Sequence, residues 1–151
     1  MIKSSIGDNE RRRELVQNYA NASQPNEKIL GYVKEYEAKE ENGKMILEKK
    51  VEIGKEIIQY DGSIGPHDST AIFKYSYHEN PEAKLVVLVN TPVFIGGAKQ
   101  NGTVIATDKK GIDIRSLLDK AGIESYGMPV RASIAQKDAE KALQALQEAS
   151  L

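Results

Sequence analysis

The chain has 151 residues, 40% of them hydrophobic and 28% charged, with a formal net charge of −1. Such a chain suits one domain that buries roughly 70% of its unfolded surface; it excludes a collagen-like or disordered class and gives no broad basic surface for duplex nucleic acid. Cysteine is absent, which excludes disulfides, thiolate metal sites and cysteine nucleophiles and fits a reducing compartment.

Residues 1–8 hold no apolar run of signal-peptide length. The longest apolar run, Leu85 to Val89, is far too short to span a membrane. The expected setting is the cytoplasm, with no membrane partner. Asp8 is placed to cap a helix from Asn9 to Asn21, with Leu15, Val16, Tyr19 and Ala20 as a narrow apolar stripe. Within it Arg11-Arg12-Arg13 point in different directions, about 100° apart, and read as a solvated face. Ser23-Gln24-Pro25-Asn26 ends this helix, so residues 1–25 read as a peripheral helix on a single domain covering 1–151.

Ile29 to Ile53 reads as a β-hairpin. Asn42-Gly43 supplies the residue pair that a type I′ turn prefers. Alternation about that turn puts Leu30, Tyr32, Tyr36 and Ala38 on one face with Lys55, Ile53, Lys49 and Leu47, with Val51 opposite Lys34 on the same face. Glu35 then faces Lys50 on the other. The second strand is expected to continue past a bulge at Gly54 to Tyr60. After a polar loop from Asp61 to Ser69, Ala71, Phe73, Tyr75 and Tyr77 alternate with Ile72, Lys74 and Ser76 as a half-buried strand would.

Leu85 to Val89 is apolar on both faces and belongs in the middle of a sheet. Val93-Phe94-Ile95 reads as a short strand ended by Gly96-Gly97. Asn101-Gly102 is a second hairpin signal, leading into Thr103–Thr107. A helix from Asp113 to Ala121 follows, with Gly122 as its C′ residue and Ile123 packed behind it. Pro129 to Ile134 reads as the last strand. Gln136 to Ala149 reads as a helix burying Ala139, Ala142, Leu143, Leu146 and Ala149. Val86, Leu88 and Leu143 are expected to be almost fully buried. The order of elements indicates an α+β fold: a mainly antiparallel sheet of about five to six strands, an N-terminal helix and two C-terminal helices.

Two loops carry the candidate chemistry. Gly65-Pro66-His67-Asp68-Ser69-Thr70 offers an imidazole, a carboxylate and two hydroxyls on a loop between ordered elements. Its plain reading is a turn, with Asp68 and Ser69 capping backbone. Phe94-Ile95-Gly96-Gly97-Ala98-Lys99-Gln100-Asn101-Gly102 could bring backbone amides and one cation to an anion. It lacks the spacing of a Walker loop or a dinucleotide fingerprint, and a mobile hairpin tip explains the same residues. The tyrosines Tyr32, Tyr36, Tyr60, Tyr75 and Tyr77 could stack a base, although core packing is their commoner use. His67 and His78 are the only histidines, and no carboxylate spacing accompanies them as a metal motif would require.

No nucleophile–base pair, metal cluster or cofactor loop stands out, so neither catalytic residues nor a cofactor is expected. The leading expectation is a small non-enzymatic binding protein that contacts another protein or its own copies as a homo-oligomer, through the aromatic hairpin. The first alternative is a binder of an anionic small molecule such as a nucleotide, using His67, Ser69, Gly96, Gly97, Lys99 and Asn101. The second is a hydrolase built on His67 and Asp68.

Overall fold

A computed structural model describes residues 27–149 and Leu151, with side chains from Lys34 onward. The helix expected over Asn9–Asn21 lies outside the described residues. The elements are α1 (Glu27–Glu48), β1 (Val51–Ile53), β2 (Ile57–Asp61), α2 (Ser69–Glu79), β3 (Leu85–Ile95), β4 (Ala98–Ala106), α3 (Ile114–Lys120), β5 (Tyr126–Met128), β6 (Arg131–Ala135) and α4 (Ala139–Glu148). The strands form one sheet of order β1-β2-β3-β4-β6-β5. Only the β2–β3 pair is parallel. This is the expected α+β fold with a mainly antiparallel sheet.

Helices cover both faces of the sheet. Ile46 of α1 and Ile72 and Phe73 of α2 pack on Val86, Leu88, Val104 and Ala106. On the other face, Ile114 and Leu118 of α3 and Ala139, Ala142 and Leu146 of α4 pack on Leu85, Val87, Ile105, Ala132 and Ile134. The apolar run Leu85–Val89 is buried throughout, because β3 sits mid-sheet between the two helical layers.

The expected hairpin over Ile29–Ile53 is mostly helix. Its segment is rich in Glu and Lys, both good helix formers. Glu35–Lys39 and Glu40–Lys44 form ion pairs one turn apart, at 3.6 and 3.7 Å. The hairpin would have placed Lys34, Lys49 and Lys55 on its buried face; the observed fold leaves all three exposed and buries Ile46 instead. Asn42-Gly43 therefore lies inside α1. The expected bulge at Gly54 (φ +65°) is the turn between β1 and β2, where Ile53 pairs with Ile57.

The expected strand over Ala71–Tyr77 is also a helix. A parallel β2–β3 pair needs a crossover, and α2 is that crossover. Asp68 starts it as N-cap, accepting a hydrogen bond from the Ala71 amide. Ile72, Phe73 and Ser76 are buried, at helical spacing.

Between β3 and β4 the turn is Gly96-Gly97, both at positive φ, and not Asn101-Gly102, which lies within β4. The expected helix at Asp113 is present, capped by Asp113 on the Ser116 amide and closed by Gly122 at φ +75°. Leu143, expected to be nearly buried, is only half-buried: the stripe of α4 centres on Ala139, Ala142 and Leu146, and Leu143 lies at its margin.

One irregularity shapes the end of β3. Leu88 pairs with Val104 and Thr91 with Gly102, so Val89 and Asn90 together face Thr103 in a β-bulge. Asn90 is the one non-glycine among the described residues at positive φ (54°). Its amide, displaced from the strand ladder, donates to Gln136 Oε1 at 2.9 Å, and the Thr103 hydroxyl donates to the same oxygen at 2.7 Å.

Tyr77 of α2 gives an alkaline signature. Burial, reinforced by Asp108 and partly offset by Arg131, pushes its phenol up to about 12. Tyr60, which donates to Ser76 Oγ at 2.9 Å, is shifted the same way by burial. In the unfolded chain tyrosine ionises near 10. The unfolded state therefore loses its proton first. Stability should be fully present below pH ~10 and fall as pH rises towards ~12. Urea denaturation across that window checks this. Tyr77→Phe is expected to reduce the alkaline loss, and an unchanged slope would remove Tyr77 as its source.

Candidate functional site

A groove of about 840 Å³ runs between α1 and the start of α2. Its α1 wall is Tyr36, Glu40, Gly43 and Leu47, spaced by four, three and four residues and so on one side of the helix, with Lys39 and Lys44 beside them. Its other wall is Asp68, Ala71, Ile72 and Tyr75, again at helical spacing. His67 and Ser69 line it where the loop enters α2.

The loop is held from both sides. Asn42 Nδ2 of α1 donates to the Pro66 carbonyl at 2.9 Å. Gly65 lies beneath it, and a Cβ there would stand 2.6 Å from Asn42 Nδ2 and push that side chain off the loop. His67 Nδ1 lies 2.8 Å from the Gly65 carbonyl and Nε2 lies 2.9 Å from Thr91 Oγ1. A carbonyl only accepts, so Nδ1 carries a proton, while the Thr91 hydroxyl, which can give or take a hydrogen bond, partners Nε2. Thr91 is buried, so its end of this contact is closed to solvent. The bulge at Val89–Asn90 turns Thr91 to the His67 face. His67 is thus a fixed wall of the groove, with both ring nitrogens engaged. Asp68 acts as the cap of α2, the plain reading given to it above.

Arg131 of β6 reaches the same corner. Its guanidinium donates to Thr70 Oγ1 and Ser69 Oγ, each at 3.0 Å, and lies 5.0 Å from the centroid of the Phe73 ring. It fixes Ser69 at the groove edge. Lys39 pairs with the exposed Glu35 and Lys44 with the half-buried Glu40, one turn away on their own helix; Lys44 itself is well exposed, and ion pairs of this kind are worth little in water, so both lysines can turn towards an incoming anion.

The six expected ligand residues do not come together. His67 and Ser69 line the groove; Gly96, Gly97, Lys99 and Asn101 do not. Gly96 and Gly97 form the exposed β3–β4 turn. Lys99 pairs with Phe94, and Asn101 with Pro92. Alternation turns those four to the face opposite Thr91 and Val93, away from His67. Asn101 Nδ2 donates to Asn90 Oδ1, and Asn90 Nδ2 donates to Asp61 Oδ1, both at 3.1 Å. The Ser63 amide and Asn90 hydrogen bonds hold the Asp61 carboxyl below its usual range, against an opposing and larger individual contribution from burial. Of the aromatic candidates, Tyr36 and Tyr75 do meet in the groove, on helices instead of strands. Gly43, Lys39 and Lys44 went unrecognised in the sequence because they face the groove only once α1 is a helix. Arg131 carried no local signal, lying more than sixty residues from its partners Ser69 and Thr70.

Among the described residues no group of three or more histidine, aspartate or glutamate side chains could hold a metal ion, and no helix is long and apolar enough to cross a membrane. No family model matches the chain, and no curated protein matches it. Among solved structures it is similar to the pGpG-specific phosphodiesterase PggH from Vibrio cholerae, with a TM-score of 0.48 and 17% identity over 78% of this chain. The match takes in 41% of that protein, so this chain spans less than half of its length. The expectation of a non-enzymatic domain acting through protein contact or self-association is corrected: the aromatic hairpin meant to make the contact is helix α1.

Proposed function

We propose that the chain binds a nucleotide, or a closely related phosphorylated small molecule, in the groove between α1 and α2. The observation that carries this reading is the meeting of two tyrosines, two lysines, His67 and Ser69 around one groove of about 840 Å³. That size is in the usual range for small-ligand sites, about 300–1,000 Å³. Tyr36 and Tyr75 supply faces for a base. Lys39 and Lys44 supply charge for phosphate, and the Ser69 hydroxyl a further hydrogen bond. A cytoplasmic setting, consistent with a chain free of cysteine, would give access to such ligands.

Thermal unfolding with a panel of mononucleotides, dinucleotides and sugar phosphates tests the reading. A ligand at 100 times its Kd adds ~2.7 kcal/mol of stability, enough for a clear rise in melting temperature. Lys44→Ala is expected to weaken binding about tenfold and lower its salt dependence, in line with the loss of one charge-assisted contact. The melting temperature of the unliganded protein should stay unchanged. If no phosphorylated ligand shifts the transition at millimolar concentration, the reading fails.

A further inference from the structure

Among the glycines from Lys34 onward, Gly43 is the one that its own surroundings do not explain. The others either adopt positive φ or have a neighbouring atom under 3.0 Å from the position a Cβ would take. At Gly43 no described atom beyond its chain neighbours and its own helix backbone lies within 4 Å of that position, and the backbone is ordinary helix. Glycine is the poorest helix former after proline, and here it sits well inside α1. No close packing rewards it. What it does is keep the groove wall open, one turn from Glu40 and from Leu47 and two turns from Tyr36.

We propose that Gly43 is the seat of the flat ring of the ligand: the groove selects a base-bearing nucleotide, with the base over the Gly43 backbone and the phosphate towards Lys39 and Lys44. This rests on the proposed nucleotide binding in the same groove. Any side chain at this position would project into the groove and exclude a planar ring, whereas a bare sugar phosphate makes no such demand. Tyr36 and Tyr75, both on the groove wall, supply aromatic surface for a ring seated there.

The test uses the full chain, with Gly43→Ala and Gly43→Leu, titrated calorimetrically with adenosine and guanosine monophosphates, ribose 5-phosphate and inorganic pyrophosphate. The wild-type chain is expected to bind at least one mononucleotide about tenfold or more tighter than ribose 5-phosphate, at roughly 1.4 kcal/mol per tenfold. Gly43→Leu is expected to lose that preference while melting at the same or a higher temperature, since leucine favours helix. Gly43→Ala should show a smaller loss of the preference. Equal affinity for ribose 5-phosphate, or full mononucleotide affinity in Gly43→Leu, overturns the seat and leaves the proposed groove standing. A marked fall in the melting temperature of Gly43→Leu also overturns it, because the space would then be filled by the chain itself. Absence of binding by every probe removes both readings together.

Discussion

Phe73→Ala is expected to destabilise the protein by about 3–5 kcal/mol, the usual cost of emptying a large aromatic site in a packed core. Phe73 is only 2% exposed and sits where α2 meets the sheet. Its loss removes transfer energy and leaves a cavity between elements already fixed by strand pairing, which limits collapse. A second contribution comes from Arg131, whose guanidinium lies over the ring and holds Ser69 and Thr70. Without the ring that arm loses its support, so the groove edge at Ser69 should loosen as well. Urea denaturation measures the stability loss. Phe94→Ala is the control: Phe94 is 67% exposed on the β3–β4 hairpin, and its removal should stay within about 0.5 kcal/mol. A loss below about 1 kcal/mol for Phe73→Ala would mean that α2 is not docked as described.

Gly102→Ala is expected to be comparably severe, for the opposite reason. A Cβ there would stand 2.3 Å from Val93 Cγ2 and 2.6 Å from the Ile134 carbonyl oxygen. The first contact is with a side chain that can shift. The second is with the backbone of β6, held by the ladder in which Gly102 pairs with Ala135 and Thr103 with Ile134. Relief requires the β4–β6 pairing to open at this end. Overpacking of this kind typically costs about 1–3 kcal/mol, and a backbone collision belongs at the upper end or beyond. The double variant Gly102→Ala with Val93→Ala separates the two contacts: it should recover little, because the carbonyl remains in place. Full recovery of the melting temperature would locate the strain in Val93 alone.

Some elements were legible because their reasons are local. Leu85–Val89 offers no polar face, so only the middle of the sheet suits it, and β3 is there. Asp113 and Gly122 bracket α3 with a cap and a left-handed residue, features that act within one turn of helix. His67 and Ser69 stood out as polar groups on a loop, and both reach the groove. Two segments misled because their local signals favour two structures. Asn42-Gly43 suits a hairpin turn, yet the residues around it prefer helix and ion-pair at i,i+4. Ala71–Tyr77 alternates as a strand would, yet Ile72, Phe73 and Ser76 also share one helix face.

The sequence by itself determined the α+β class, the central strand, the helix α3 with its closing Gly122, and the loop that carries His67. Tertiary structure alone decided which residues face His67. The parallel β2–β3 pair requires a crossover, which makes residues 69–79 a helix and lays it beside α1. Lys99 stands five residues from Val104 along β4, so alternation turns it to the opposite face from the Val104 side chain, which packs beneath α1 and α2. Arg131 reaches Ser69 and Thr70 only because β6 pairs with β4, next to the strand beneath α2. Caps and turns depend on a few adjacent residues and can be read along the chain. The makeup of the groove depends on strand pairings between distant segments, and no local window contains them.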